Sequence, residues 1–186
     1  SQQEVNMFGN VRAEFAASPL AVADGVLYGA ANLGIVYALE LATGRVRWIA
    51  AHEVVKMPMT RMHSQQERSV YFANNAPVIA DGVVCCTPLD SQFVLGLDAE
   101  SGRLLWRVPA DAPVDRIENN VRWLAGAIDD EFVLVGRGAI AIKARPKDLL
   151  ASLGEVRQLV RPELLRNRSA MGRPAITTDA LWCPAG

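Results

Sequence analysis

Short apolar runs broken by turn residues recur along this chain in a fixed order. From Pro19 the first round passes an Asp24-Gly25 turn, Val26-Leu27-Tyr28-Gly29 and a loop at Asn32-Leu33-Gly34. It continues through Ile35-Val36-Tyr37-Ala38-Leu39 and turns at Thr43-Gly44 into Arg45-Val46-Arg47-Trp48-Ile49. Runs of this length, rich in β-branched and aromatic residues and bounded by turn formers, predict four short strands in an antiparallel meander. Pro19 opens the first strand, where a missing N–H disturbs no central ladder. A second round starts at Pro77 and turns at Asp81-Gly82, Asp90-Ser91 and Ser101-Gly102. A looser third round reads Trp123 to Ile128, an Asp129-Asp130 turn, Phe132 to Val135, then Ile140-Ala141-Ile142. There the rhythm stretches: Gly154 follows Ala141 by 13 positions, where Gly44 follows Ala38 by six. The excess, Pro146-Lys147-Asp148-Leu149-Leu150-Ala151-Ser152, opens on Pro and is rich in helix formers, which predicts a short helix. After it, Gly154 to Leu159 aligns with Gly44 to Ile49, with Gln158 at the place of Trp48. A fourth round begins at Pro174-Ala175-Ile176, turns at Thr178-Asp179 and continues through Leu181-Trp182-Cys183.

The units cover approximately residues 17–50, 75–109, 122–160 and 172–186, with insertions at 51–74 and 145–153. Their turn acids, taken as Asp24, Asp81, Asp130 and Asp179, are spaced by 57, 49 and 49 positions. Such intervals fit four-stranded propeller blades of ~40–50 residues plus insertions. One unit cannot bury a hydrophobic face alone, so the units must stack. The fold expected is all-β, a single partial β-propeller of about three and a half four-stranded antiparallel blades, with a short helical insertion. The insertion at 52–74 should cross one face as a loop or short helix. The last unit stops halfway, which favours a piece of a larger propeller; the alternative is a homo-oligomer joined through open blade edges. Because the chain opens on Ser1, its original start is expected to have been removed.

Two stretches are near copies of each other. Residues 38–48 and 96–106 both read small-x-acid-x-x-Thr/Ser-Gly-x-x-x-Trp, and their last residues, Trp48 and Trp106, lie 58 positions apart. The pattern resembles the tryptophan-docking repeat of the PQQ-like (quinoprotein) β-propeller superfamily. The resemblance covers residues 17–109 well, 122–144 loosely and 172–186 as an opening fragment. It implies blades set around an axis, with Trp48 and Trp106 docked between neighbours. It also implies Glu40 and Asp98 as motif acids, and Thr43-Gly44 and Ser101-Gly102 as turns joining the last two strands. Glu40 departs from the usual Asp, which should weaken its turn. The physics agrees: a tryptophan can bury up to about 250 Å² while its indole N–H reaches a carbonyl, which suits a seam between sheets.

Composition adds mostly exclusions. A chain of 186 residues, 51% hydrophobic and 21% charged, has the makings of a substantial core. With 19 basic against 20 acidic residues, nothing favours nucleic acid or acidic membranes as partners. No apolar run approaches the ~20 residues of a membrane-spanning helix, and there is no secretory signal. Residues 145–173 are locally basic: Arg145, Lys147, Arg157, Arg161, Arg166, Arg168 and Arg173 against Asp148, Glu155 and Glu163. This reads as a solvated face. Arg166, Arg168 and Arg173 are the candidate contacts for a protein partner.

The family name invites a search for redox chemistry. Some members place a vicinal disulfide against the quinone, and Cys85-Cys86 is the tempting match. Yet adjacent Cα atoms lie ~3.8 Å apart, and alternate strand side chains point to opposite faces, so two buried thiols are expected. Cys183 completes no disulfide framework or spaced metal motif. Calcium needs about six to eight converging oxygens, and the one dense acidic run, Asp129-Asp130-Glu131, occupies a turn. No Cys-x-x-Cys-His haem motif occurs. His52 and His63, near Glu53 and Glu67, read as solvent-exposed loop residues, and Met57, Met59 and Met62 as an apolar patch against the insertion or a partner. No residue is therefore assigned to catalysis, cofactor or metal. The expectation is a noncatalytic scaffold or interaction segment, periplasmic or envelope-associated by resemblance. The alternative is a fragment of a dehydrogenase whose PQQ and calcium ligands lie outside the chain.

Overall fold

The turn chemistry folds these runs into sixteen strands in a computed structural model, which describes residues 18–31, 33–55, 71–111, 113–114, 117–118, 120–145, 154–160, 173–177 and 180–184. Sheet 1 comprises β1 (Ala21–Ala23), β2 (Val26–Ala30), β3 (Ile35–Glu40) and β4 (Val46–Ala51). Sheet 2 comprises β5 (Val78–Ala80), β6 (Val83–Cys86), β7 (Phe93–Asp98) and β8 (Leu104–Pro109). A small hairpin, β9 (Pro113–Val114) with β10 (Ile117–Glu118), leads to sheet 3. That sheet holds β11 (Trp123–Ile128), β12 (Glu131–Val135), β13 (Ala139–Lys143) and β14 (Val156–Val160). The pair β15 (Ala175–Ile176) and β16 (Leu181–Trp182) opens a fourth. Every four-stranded sheet is an antiparallel meander in chain order. The first strands neighbour one another, β1 beside β5, β5 beside β11 and β11 beside β15. The sheets therefore stack in sequence with β4, β8 and β14 at their outer edges.

The first hairpin of each sheet shows why the sequence pattern works. Asp24 (φ 48°) and Gly25 (φ 73°) are both left-handed, as are Asp81 (46°) and Gly82 (67°). Two such residues form the tight turn whose twist matches the strands it joins. In the third round the left-handed residue is Asp129 (φ 51°). Asp129, and not Asp130, stands in register with Asp24 and Asp81. Asp130 instead lies 3.2 Å from Lys143 Nζ. The helix expected over 146–152 and the turn at Thr178-Asp179 lie outside the described residues. No helix occurs among the described residues, so none there is long and apolar enough to cross a membrane.

Two cores fill the first two seams, and a smaller one around Val135 and Ala139 meets Leu181 and Cys183 of the fourth sheet. Val26, Tyr28, Val36, Ala38 and Trp48 of sheet 1 meet Val84, Cys86, Leu95 and Leu97 of sheet 2. The other face of sheet 2, with Val83, Cys85, Val94, Trp106 and Val108, meets Leu124, Phe132, Leu134, Ile140 and Ile142 of sheet 3. A middle sheet buried on both faces has no polar side to show, hence the unbroken Val-Val-Cys-Cys of β6. Strand alternation sends Cys85 and Cys86 into different cores as free, buried thiols. Burial pushes the Cys86 thiol up to about 12. Cys85 is also raised, by burial first and its neighbour second.

A raised thiol pKa means that unfolding releases a proton above the ordinary value near 9. The stability contributed by Cys86 is then complete below about pH 9 and is lost as pH rises toward about 12, at up to about 1.4 kcal/mol per pH unit. Urea titrations between pH 9 and 11 should show a shallower decline for Cys86→Ala than for the parent chain. Equal slopes would mean that the thiol is not buried.

Candidate functional site

The candidate site is the pair of seams, and a backbone irregularity builds it. In β4, Trp48 pairs with Ala38 but Val46 pairs with Leu39, leaving Arg47 as an extra residue. In β8, Trp106 pairs with Gly96 and Leu104 with Leu97, leaving Leu105 extra. A bulge of this kind re-aims the side chain beside it. Trp48 Nε1 donates to the Ala99 carbonyl of sheet 2 at 3.0 Å, and Trp106 Nε1 donates to the Ala144 carbonyl beyond β13 at 2.8 Å. The two acceptors are equivalent, each following the last residue of a third strand. The indoles also lie over equivalent glycines. A Cβ on Gly102 would stand 2.6 Å from the Trp48 ring, and one on Gly154 would stand 3.4 Å from that of Trp106. Trp106 presses on Gly96 of its own sheet so closely that no side chain fits there. Tyr28 and Phe132 flank the two indoles at centroid distances of 6.0 and 6.1 Å.

Two acids hold the turns that carry Gly102 and Gly44. Asp98 Oδ1 accepts from the Ser101 amide at 2.9 Å and the Ser101 hydroxyl at 2.7 Å, and Gly102 N donates to Asp98 O. The Ser101 hydroxyl, then its amide, hold the Asp98 carboxyl below the usual range, with Arg145 assisting. Glu40 accepts from the Thr43 hydroxyl at 2.5 Å, while Gly44 N donates to Glu40 O. On the same side Arg145 Nε donates to Asp81 O at 3.0 Å, and its guanidinium lies 3.6 Å from Asp98. This arginine of the basic segment thus ties sheet 3 to sheet 2. Arg157 is paired with Glu131. Arg173 is exposed, and Arg166 and Arg168 lie outside the described residues.

Two sequence readings need correction. Gln158 follows Gly154 as Trp48 follows Gly44, but the bulge in β14 falls two residues later, at Leu159. Arg157 therefore faces Ala141, and Gln158 faces Ile140. Gln158 Nε2 donates to Ala139 O and Val160 O within its own sheet. His52 is not a solvent-exposed residue: its side chain is 6% exposed and its Nε2 lies 3.6 Å from Asp90 Oδ1. Asp90 Oδ2 accepts from Gly34 N at 2.7 Å, so this cluster closes the junction between sheets 1 and 2. His63, Glu67, Met57, Met59 and Met62 lie outside the described residues.

A cleft of about 350 Å³ runs between these two sheets, with Val36, Ala50, Leu95 and Leu97 on its walls and Arg107 near Glu53. Arg107 also stacks on Phe93, 4.7 Å from the ring centroid. Among the described residues no three His, Cys, Asp or Glu side chains gather as a metal cluster. The acidic run at 129–131 does not fit a calcium centre, because Asp130 and Glu131 face Lys143 and Arg157.

Antiparallel four-stranded sheets, stacked in chain order and stitched by tryptophan, define a partial β-propeller. Residues 3–148 match the family described as outer membrane protein assembly factor BamB, and the chain belongs to this family of PQQ-like propellers. A search of curated proteins finds no match. BamB from Moraxella catarrhalis aligns over 89% of this chain and 42% of its own, at 17% identity and TM-score 0.55. Quinohemoprotein alcohol dehydrogenase from Comamonas testosteroni aligns over 75% of this chain and 20% of its own, at 16% identity and TM-score 0.43. The first is a likeness of fold. The chain spans less than half the length of either structure.

The seams make ordered predictions. Trp106→Ala should destabilise the chain by about 3–5 kcal/mol. Trp48→Ala should cost less, because Trp48 is 7% exposed where Trp106 is fully buried. Gly102→Ala combines a left-handed backbone with the indole above it, whereas a Cβ on Gly25 meets open space. Urea midpoints should place Gly102→Ala below Gly25→Ala by about 1–3 kcal/mol. Equal losses would mean that the ring does not rest there.

Proposed function

We propose that this chain is a noncatalytic segment of a PQQ-like β-propeller, serving as a scaffold or protein-interaction module in the bacterial envelope, on the periplasmic side. The observation that carries this reading is that the groups most suited to chemistry are engaged in holding sheets together. Cys85 and Cys86 face separate cores, His52 and Asp90 close one junction, and Asp130 and Glu131 pair with cations. Membership of the BamB family supports an assembly role. Partner contact is assigned to Arg166, Arg168 and Arg173, the basic residues that sequence alone points to.

Replacing those three arginines together by alanine should lower affinity for an envelope protein partner about tenfold or more, with the urea midpoint unchanged. Reconstitution with PQQ and calcium should leave no quinone absorbance after desalting and no dye-linked alcohol oxidation. Retained quinone with turnover would overturn the proposal in favour of a dehydrogenase fragment.

A further inference from the structure

The first two seams are built alike, but the outer part of only the second is filled. Ala50 and Val108 hold equivalent places, each two residues beyond the seam tryptophan and paired with Val36 and Val94. Val108 is buried and reaches sheet 3, where a Cβ on Gly154 would stand 2.8 Å from it. Ala50 is too short to reach across in the same way. It lines the cleft of about 350 Å³ together with Gly102, the counterpart of Gly154. Val114 of β9 joins the core of the second seam, and β9 lies beside β14. At the rim of the first seam Leu104 is 49% exposed, whereas its counterpart Val156 packs against that core. The cleft falls within the ~300–1,000 Å³ usual for ligand sites, and its floor of Val36, Leu95 and Leu97 is apolar.

The strands that flank this opening, β4 and β8, contain no acidic residue, and their charged residues are Arg47 and Arg107. Arg107 faces the cleft beside Leu95 and is steadied by the Phe93 ring. Among the described residues its carboxylate contact is Glu53 at 3.8 Å, outside hydrogen-bond distance, so the guanidinium keeps its donors. Arg47, put out by the β4 bulge, is exposed, and its charge acts on the Tyr28 phenol that faces sheet 2. Among the described residues it pairs with no acid.

Resting on the interaction-module reading above, we propose that this cleft binds an extended acidic segment of a protein partner. Its apolar side chains enter between Ala50 and Leu104, and its carboxylates meet Arg107 and Arg47. Successive side chains of an extended segment point to opposite sides. Apolar residues at every second position therefore fill the cleft, while the acids between them stay at the rim within reach of the long arginine side chains. A guanidinium takes a carboxylate in a two-pronged hydrogen bond, which fixes the register of the segment as well as its charge. Glu53 holds Arg107 until the segment arrives and is the group it displaces.

The test titrates the peptide acetyl-Asp-Val-Glu-Val-Asp-Val-Glu-amide into the full chain and follows amide resonances. Those of Ala50, Gly102 and Arg107 should move saturably. A version with lysine at every acid should bind about tenfold more weakly or worse, as should the acidic peptide to Arg107→Gln and to Ala50→Leu. Glu53→Gln, which removes the competing carboxylate, should bind the acidic peptide more tightly, and weaker binding there would contradict the site. No saturable binding, equal binding of the lysine peptide, or binding that survives Arg107→Gln and Ala50→Leu overturns the proposal. If Ala50→Leu does not fold, Arg107→Glu takes its place, and the preference should turn toward the lysine peptide; an unchanged preference overturns the site. A parent dimer that the peptide dissociates would assign the cleft to a second copy and overturn the choice of occupant. Binding lost with Arg166, Arg168 and Arg173 replaced but kept in Arg107→Gln would place the peptide on the basic segment, overturning this site while the interaction reading stands.

Discussion

The stack depends on one recurring contact, an indole N–H crossing a seam to a backbone carbonyl while its ring lies over a glycine. Sheets packed only by apolar side chains can slide, because the hydrophobic effect is non-directional. The contacts from Trp48 to Ala99 and from Trp106 to Ala144 remove that freedom, since each fixes one point of a sheet on the turn of the next. The bulge beside each tryptophan and, beneath Trp48, the left-handed Gly102 with Asp98 holding its turn all serve this single geometry. A net hydrogen-bond contribution of about 1 kcal/mol is modest, but an unsatisfied buried carbonyl would cost more.

Serial stacking also explains where reactive groups went. A sheet covered on both faces turns consecutive residues into core, alternately to one side and the other, so adjacent cysteines become neighbours in sequence and strangers in space. The junctions between sheets carry the remaining polar groups. His52 with Asp90 and Arg145 with Asp81 and Asp98 each join residues from different sheets. Chemistry that sequence inspection would offer to a ligand is used to set one blade against the next.

What was legible in the sequence was local. Asp-Gly pairs announce two-residue turns, and the Thr/Ser-Gly-x-x-x-Trp spacing places an indole beyond a turn, because both depend on a few consecutive backbone angles. What was not legible depends on pairing between distant residues. The shift of the β14 bulge that moves Gln158 out of Trp48's register is decided by β13, not by the residues around Gln158. Burial of His52 depends on Asp90, and the contact of Arg145 with Asp81 spans 64 positions. Asp129 rather than Asp130 holds the left-handed turn position because strand register, not composition, sets where the loop begins. The β9–β10 hairpin joins runs of two residues, too short to show as periodicity.

The most direct test of the seam is the hydrogen exchange of the indole protons, read by nuclear magnetic resonance on the intact chain. Trp48 and Trp106 should exchange orders of magnitude more slowly than Trp182, whose side chain is on the surface at 65% exposure. Trp48 and Trp106 protons exchanging as fast as that of Trp182 would mean that no indole bridges the sheets, and the account of what orders the stack would be wrong.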